Sequence, residues 1–110
     1  MAHRDMTPAA LALVAARFKA LSEPARLQML GVLRHGERTV GDLVEETGLG
    51  QANVSKHLQQ LHTLAFVSRR KDGPFVYYQL ADASVFQLCD LMCKRLEFDA
   101  RARHLLLARR

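Results

Sequence analysis

Several features are scarce or missing in this chain of 110 residues. It has no uninterrupted apolar run of the roughly 18 residues that a membrane span requires. Its first residues, "MAHRDMTPAA", lack the apolar core of a secretion signal. A cytoplasmic protein with no membrane partner is therefore expected. Cysteine occurs only as Cys89 and Cys93. Two residues do not make a disulfide framework, and in a reducing compartment they are expected as free thiols or metal ligands. There is no phosphate-cradling glycine loop, and no nucleophile, base and orienting residue stand in a recognisable arrangement. An enzyme is not expected. Repeats, low-complexity tracts and flexible linkers are absent, and the length suits one domain over residues 1–110 with a single core.

The most informative absence is local. Residues 51–71 contain no Asp or Glu, yet they carry Lys56, Arg69, Arg70 and Lys71. Residues 1–50 hold six basic and six acidic side chains, and residues 72–110 hold six and five, so elsewhere the charges nearly cancel. The net charge of +5 is modest, but its concentration in one acid-free island points to a polyanionic partner. With 49% apolar and 25% charged residues, the chain otherwise has the composition of a soluble globular protein.

The local patterns predict five helices and one hairpin. In "TPAALALVAARFKAL" Thr7 is an N-cap, Pro8 stands at the first helical position, and Leu11, Val14, Phe18 and Leu21 follow at helical spacing. "SEPARLQMLGVLRHG" repeats this grammar with Ser22 as cap, Pro24 in the first turn and Leu27, Leu30 and Leu33 as the buried stripe, ending at Gly36. Thr39 and Asp42 have capping-box spacing at the start of a short helix that Gly48 ends. After "GLG" a further helix places Val54, Leu58, Leu61 and Ala65 on one face and leaves Ala52, Asn53, Ser55, Lys56, Gln59 and Gln60 outward. These two helices and their three-residue turn read as a helix-turn-helix. "FVSRRKDGPFVYYQL" changes period and reverses at Asp72-Gly73, a basic two-stranded hairpin. A last helix is expected from Asp82 to about Leu107. The fold class is mainly α with a small β-hairpin, a winged helix-turn-helix in the order α-α-α-α-β-β-α.

These parts suit double-stranded DNA. An α-helix fits the major groove, where Gln and Asn pair with adenine and Lys with guanine. Gln51, Asn53, Ser55, Lys56 and Gln60 supply that chemistry, and Lys56 serves equally on a phosphate. Arg69, Arg70 and Lys71 beside a tight turn suit the backbone or the minor groove. His57 and His62 lie five positions apart on different helix faces and cannot readily chelate one ion. His57 is expected to hydrogen-bond at the DNA or to pack beside Leu58 and Leu61, and His62 to be surface.

"FKALSEPARLQML", "NVSKHLQQL" and "FVSRRKDGPFVYYQL", in that order, resemble the ArsR-type (ArsR/SmtB) winged-helix repressors of bacteria over roughly residues 10–82. The resemblance implies a homodimer that binds an imperfect palindromic operator in a promoter and is released by an inducer, often a metal ion, a metalloid, or a sulfur or oxidant signal. It carries DNA contacts onto Gln51, Ser55, Lys56, His57, Arg69 and Arg70. The chain departs from the family in three places. Thr39 and Gly41 stand where arsenic-sensing members have a cysteine pair, the family's Asp and His ligand set is not reproduced in the last helix, and Gly50 replaces a frequent serine.

The last helix is apolar on more sides than one core can cover: Phe86, Cys89, Cys93 and Leu96 form one ridge, and Val85, Leu88 and Met92 another. Residues 7–21 and 82–107 are therefore expected as dimerisation helices, with Leu11, Val14, Phe86, Cys89, Cys93 and Leu96 at a two-fold interface. Cys89 and Cys93, at i and i+4, stand too far apart for an unstrained disulfide within the helix. Three roles stay open for them: plain packing, a thiol, persulfide or redox switch, and a soft-metal or metalloid site for zinc or arsenite, with up to four sulfurs across the dimer. An alternative to the inducible regulator is a DNA-binding protein without a ligand, architectural or controlled by a protein partner.

Overall fold

Residues 5–102 are described by the computed structural model. Helix α1 (Pro8–Ala20) begins as its sequence dictates, with the Thr7 hydroxyl accepting the N–H of Ala10 at 3.1 Å. Helix α2 (Pro24–Leu33) begins differently from expectation. Its N-cap is Glu23, and the Ser22 hydroxyl instead donates to the Lys19 carbonyl at 2.6 Å. With so short a connection, that side chain reaches back to close α1 and not forward to open α2. The expected stripe is also corrected: Leu30 and Leu33 are buried, but Leu27 is 39% exposed and Met29 takes its place. At 100° per residue a row spaced by three drifts around the helix, so Leu27 leaves the face that Arg26, Met29, Leu30 and Leu33 share.

Helix α3 (Val40–Thr47) carries the capping box that Thr39 and Asp42 predict. The Thr39 hydroxyl accepts the Asp42 N–H at 3.1 Å, and the Asp42 carboxylate accepts the Thr39 N–H at 3.0 Å. That backbone hydrogen bond holds the Asp42 carboxyl below its usual range. Gly48 ends the helix at φ 77°, a left-handed conformation that glycine takes without steric cost. Helix α4 (Gln51–Thr63) follows and buries Val54, Leu58 and Leu61. Ala65, expected on that row, lies past the helix end at φ 65°. The N–H of Phe66 bonds the Leu61 carbonyl at 2.9 Å and that of Ala65 bonds the His62 carbonyl at 3.0 Å. This is a Schellman cap, and the turn it makes drives Phe66 into the core.

Strands β1 (Val67–Asp72) and β2 (Phe75–Leu80) pair antiparallel, from Val67 opposite Leu80 to Asp72 opposite Phe75. Gly73 at φ 61°, followed by the fixed negative φ of Pro74, makes a type II′ reversal that matches the strand twist. Arg38 exchanges two backbone hydrogen bonds with Tyr78, at 2.9 and 2.8 Å, and ties the hairpin to the loop before α3. Helix α5 (Val85–Ala102) starts three residues later than expected. Asp82 does not enter it, because its carboxylate accepts both the N–H and the hydroxyl of Ser84 and forms the turn before the helix. The expected end near Leu107 lies outside the described residues.

The resulting order, α1-α2-α3-α4-β1-β2-α5, is that of a mainly helical winged helix-turn-helix. Its core is built from α2, α3, α4, the base of the hairpin and Val85. α1 and α5 contribute little to it and keep large apolar side chains in solvent, with Leu13 69% and Leu91 66% exposed. Among the described residues no helix is long and apolar enough to cross a membrane.

Candidate nucleic-acid interface

The burial of Val54, Leu58 and Leu61 determines what α4 shows. Gln51, Asn53, Ser55, Lys56 and Gln60 are all exposed, and His57 is half-buried at the edge of that face. At the start of α4 the N-cap is Gly50, and among the described residues no side chain caps the first-turn N–H groups.

His57 and Gln60 are shared with the protein interior through Arg26. The Arg26 Nε–H donates to His57 Nδ1 at 3.0 Å, and its terminal nitrogens donate to Gln60 Oε1 at 2.7 Å and to the Ala20 carbonyl at 3.2 Å. Glu23 completes the cluster with an ion pair at 3.2 Å. Arg26 is only 5% exposed, so a full set of partners is what allows this charge to be buried. The fork joins the N-terminal turn of α2 to the middle of α4.

In the wing, alternation along β1 sends Arg69 and Lys71 to one face of the hairpin and Arg70 to the other. The Arg70 guanidinium is bonded to the carboxylate of Glu37, lies 3.6 Å from Asp72 and stacks 4.6 Å from the ring centroid of Tyr77. The hydrogen bond from Arg70, and then its charge, hold the Glu37 carboxyl below its ordinary range. Among the described residues no carboxylate pairs with Lys56, Arg69 or Lys71. Three of the four cations of the acid-free island therefore face solvent without a countercharge, and one is anchored.

Sequence reasoning missed three residues. Arg26 had a signal, a charge on the face that Met29, Leu30 and Leu33 bury. Glu37 had none, since its partner is 33 positions away. Arg17 likewise had none: its guanidinium bonds the Leu64 carbonyl at 2.7 Å and lies 5.8 Å from the ring centroid of Phe66, fastening α1 to the exit of α4.

The expected interface residues divide. Leu11, Val14 and Leu96 are exposed, whereas Phe86 packs against the protomer's own core with Arg34 stacked 4.5 Å from its ring centroid. Cys93 is exposed and Cys89 half-buried on α5, both as free thiols. Among the described residues no group of three or more His, Cys, Asp or Glu is placed to hold a metal ion.

Comparison with known proteins agrees with this geometry. The sequence model of the family described as "Bacterial regulatory protein, arsR family" matches residues 23–69. The probable mercury resistance operon repressor of Streptomyces lividans is 41% identical over 71 residues, which are 64% of this chain and 57% of that protein. The transcriptional regulator NmtR of Mycobacterium tuberculosis is 41% identical over 81 residues, 74% of this chain and 68% of that one. A solution structure of a homodimeric winged helix-turn-helix DNA-binding domain from Mycobacterium bovis superposes with a TM-score of 0.70 at 34% identity, covering 94% of this chain and 95% of that one. The chain belongs to the arsR family of bacterial regulatory proteins, whose members are transcriptional regulators and not enzymes.

Proposed function

We propose that this chain is a homodimeric repressor that binds a palindromic operator through α4 and the β1-β2 wing, and leaves it when an inducer acts on α5. The supporting observation is that Gln51, Asn53, Ser55 and Lys56 on α4 and Arg69 and Lys71 on the wing are all exposed, in a stretch, residues 51–71, that contains no acid. The Streptomyces lividans relative is named as a repressor, and the Mycobacterium bovis domain is homodimeric. Here the bare apolar side chains of α1 and α5 offer the surface for a second copy, and covering apolar area stabilises by roughly 25 cal/mol per Å². A two-fold pair sets two recognition helices roughly one DNA turn, about 34 Å, apart.

Cys89 and Cys93 are the proposed inducer site, as a thiol switch or as ligands of a soft ion. Two sulfurs at i and i+4 fit part of such an ion's coordination, and a second protomer's pair would bring the number to the four that zinc usually takes. The name of the Streptomyces lividans relative ties that protein to mercury, which is consistent with soft-ion chemistry in this family.

The test is a mobility-shift titration on duplexes from the chain's own upstream region, repeated over a series of salt concentrations and followed by footprinting. A discrete two-fold-symmetric footprint with steeply salt-dependent affinity is expected. Affinity indifferent to ionic strength would overturn the reading, and diffuse protection would replace it with an architectural role.

A further inference from the structure

Between the end of α1, the start of α2 and the flank of α4 lies a cleft of about 430 Å³, lined by Lys19, Ser22, Arg26, Lys56, His57 and Gln60. Its chemistry follows from the buried guanidinium at its floor. All of the polar hydrogens of Arg26 are donors and it has no acceptor. Whatever faces it must accept, so neither a flipped imidazole nor a flipped amide satisfies the contacts. Nδ1 of His57 accepts, which puts that ring's proton on Nε2. Oε1 of Gln60 accepts, which leaves that side chain's amide hydrogens as its remaining groups.

The groups left to the cleft are therefore an imidazole N–H, an amide NH₂, two ammonium ions and the oxygen of Ser22, whose own hydrogen goes to the Lys19 carbonyl. The cleft's acid, Glu23, is paired with Arg26, so those two charges cancel. Among the described residues no carboxylate pairs with Lys19 or Lys56. A site rich in donors and carrying two uncompensated positive charges fits a ligand made of anionic acceptor oxygens. Lys56 and Gln60, four residues apart on one edge of α4, place this site beside the face that would enter the major groove, where a sugar-phosphate strand passes.

We propose that this cleft seats one phosphate of the DNA backbone, with Lys19, Lys56, His57 and Gln60 as donors and Arg26 as the residue that positions the last two. The proposal rests on the DNA-binding reading above and adds to it a contact from α1 and a role for α2. Each protomer's α1, its expected dimerisation helix, then touches the same phosphate as its recognition helix.

The test uses the full chain and a fluorescent duplex from its own upstream region, with anisotropy followed over a series of KCl concentrations. Lys19→Ala is expected to flatten the slope of log affinity against log salt by about 0.9 per cleft, or about 1.8 for a dimer. Gln60→Ala is expected to weaken binding roughly tenfold with the slope unchanged, since it removes a donor but no charge; it also takes an acceptor from Arg26, so circular dichroism matching the wild type is required beside it. Arg26→Met should turn the single Nε2–H tautomer of His57, read from imidazole nitrogen-15 shifts, into a mixture, a signature that loss of packing alone does not produce. If Arg26→Met fails to fold, the two exposed variants carry the test. A steep wild-type slope that Lys19→Ala leaves unchanged overturns the cleft proposal and spares the α4 reading, whereas a flat wild-type slope overturns that reading itself. Inorganic phosphate titrated without DNA separates the sources: binding lost in Lys19→Ala, beside an unchanged DNA slope, assigns the cleft to a soluble anion and overturns the backbone contact.

Discussion

The guanidinium of Arg70 is held by the carboxylate of Glu37, a residue in the loop before α3, so the middle cation of the wing is tied to the body of the protein. The pair fixes how the hairpin leans and withholds one charge from any phosphate. Arg69 and Lys71, on the opposite face of β1, stay available.

Glu37→Gln should therefore strengthen DNA binding. Once released, Arg70 can neutralise a phosphate, and the salt slope should steepen by about 0.9 per protomer. Anisotropy titrations against the wild type check this, and an unchanged slope would show that Arg70 stays on the hairpin.

The same pair has a defined pH window. Arg70 lowers the Glu37 carboxyl from its reference value of 4.5, so the folded state binds that proton less readily than the unfolded state. The stabilisation is then complete above pH 4.5 and disappears as the pH falls through the depressed value. Thermal melts should show the wild type more stable than Glu37→Gln at neutral pH, by a small margin because the pair is exposed, and the two converging on acidification. A gap that widens in acid would contradict the assignment.

Ala65→Gly should stabilise the fold. Ala65 sits at φ 65°, where its Cβ costs about 1 to 2 kcal/mol. Glycine removes that strain but loses more freedom on folding, for a net gain of about 0.5 to 1 kcal/mol. The melting temperature should rise by a few degrees, and a fall would mean that the chain does not take the left-handed turn.

Leu91→Glu should separate the protomers without unfolding them. Leu91 is 66% exposed and contributes nothing to the protomer core, so the substitution matters only if a second copy covers it. Sedimentation velocity should show a monomer with unaltered circular dichroism and weakened operator binding. A variant that sediments as a dimer would move the interface elsewhere.

Replacing Cys89 and Cys93 together by serine should abolish release from DNA by arsenite, zinc, peroxide or a persulfide donor while leaving DNA affinity within about twofold, since neither lies on α4 or the wing. Normal release in the double variant would assign the pair to packing.

Much of this was legible in the chain itself. The element order, the Thr39–Asp42 capping box, the glycine stop at Gly48 and the outward face of α4 depend on residues within about four positions of one another, and hydrogen-bond reach and helical period decide such patterns locally. The charge island of residues 51–71 was equally plain, because composition needs no coordinates. Ser22, Leu27 and Ala65 were misplaced because each sits where two local readings compete, cap against cap or period against turn.

The sequence by itself determined which segments are helix, turn and wing, and which chemistry α4 turns outward. Only the tertiary structure decided which of those side chains are free. Arg26 reaches His57 and Gln60 across 31 and 34 positions, and Arg70 reaches Glu37 across 33. Such partnerships arise when packed helices bring distant segments within hydrogen-bond distance, and no local period encodes them.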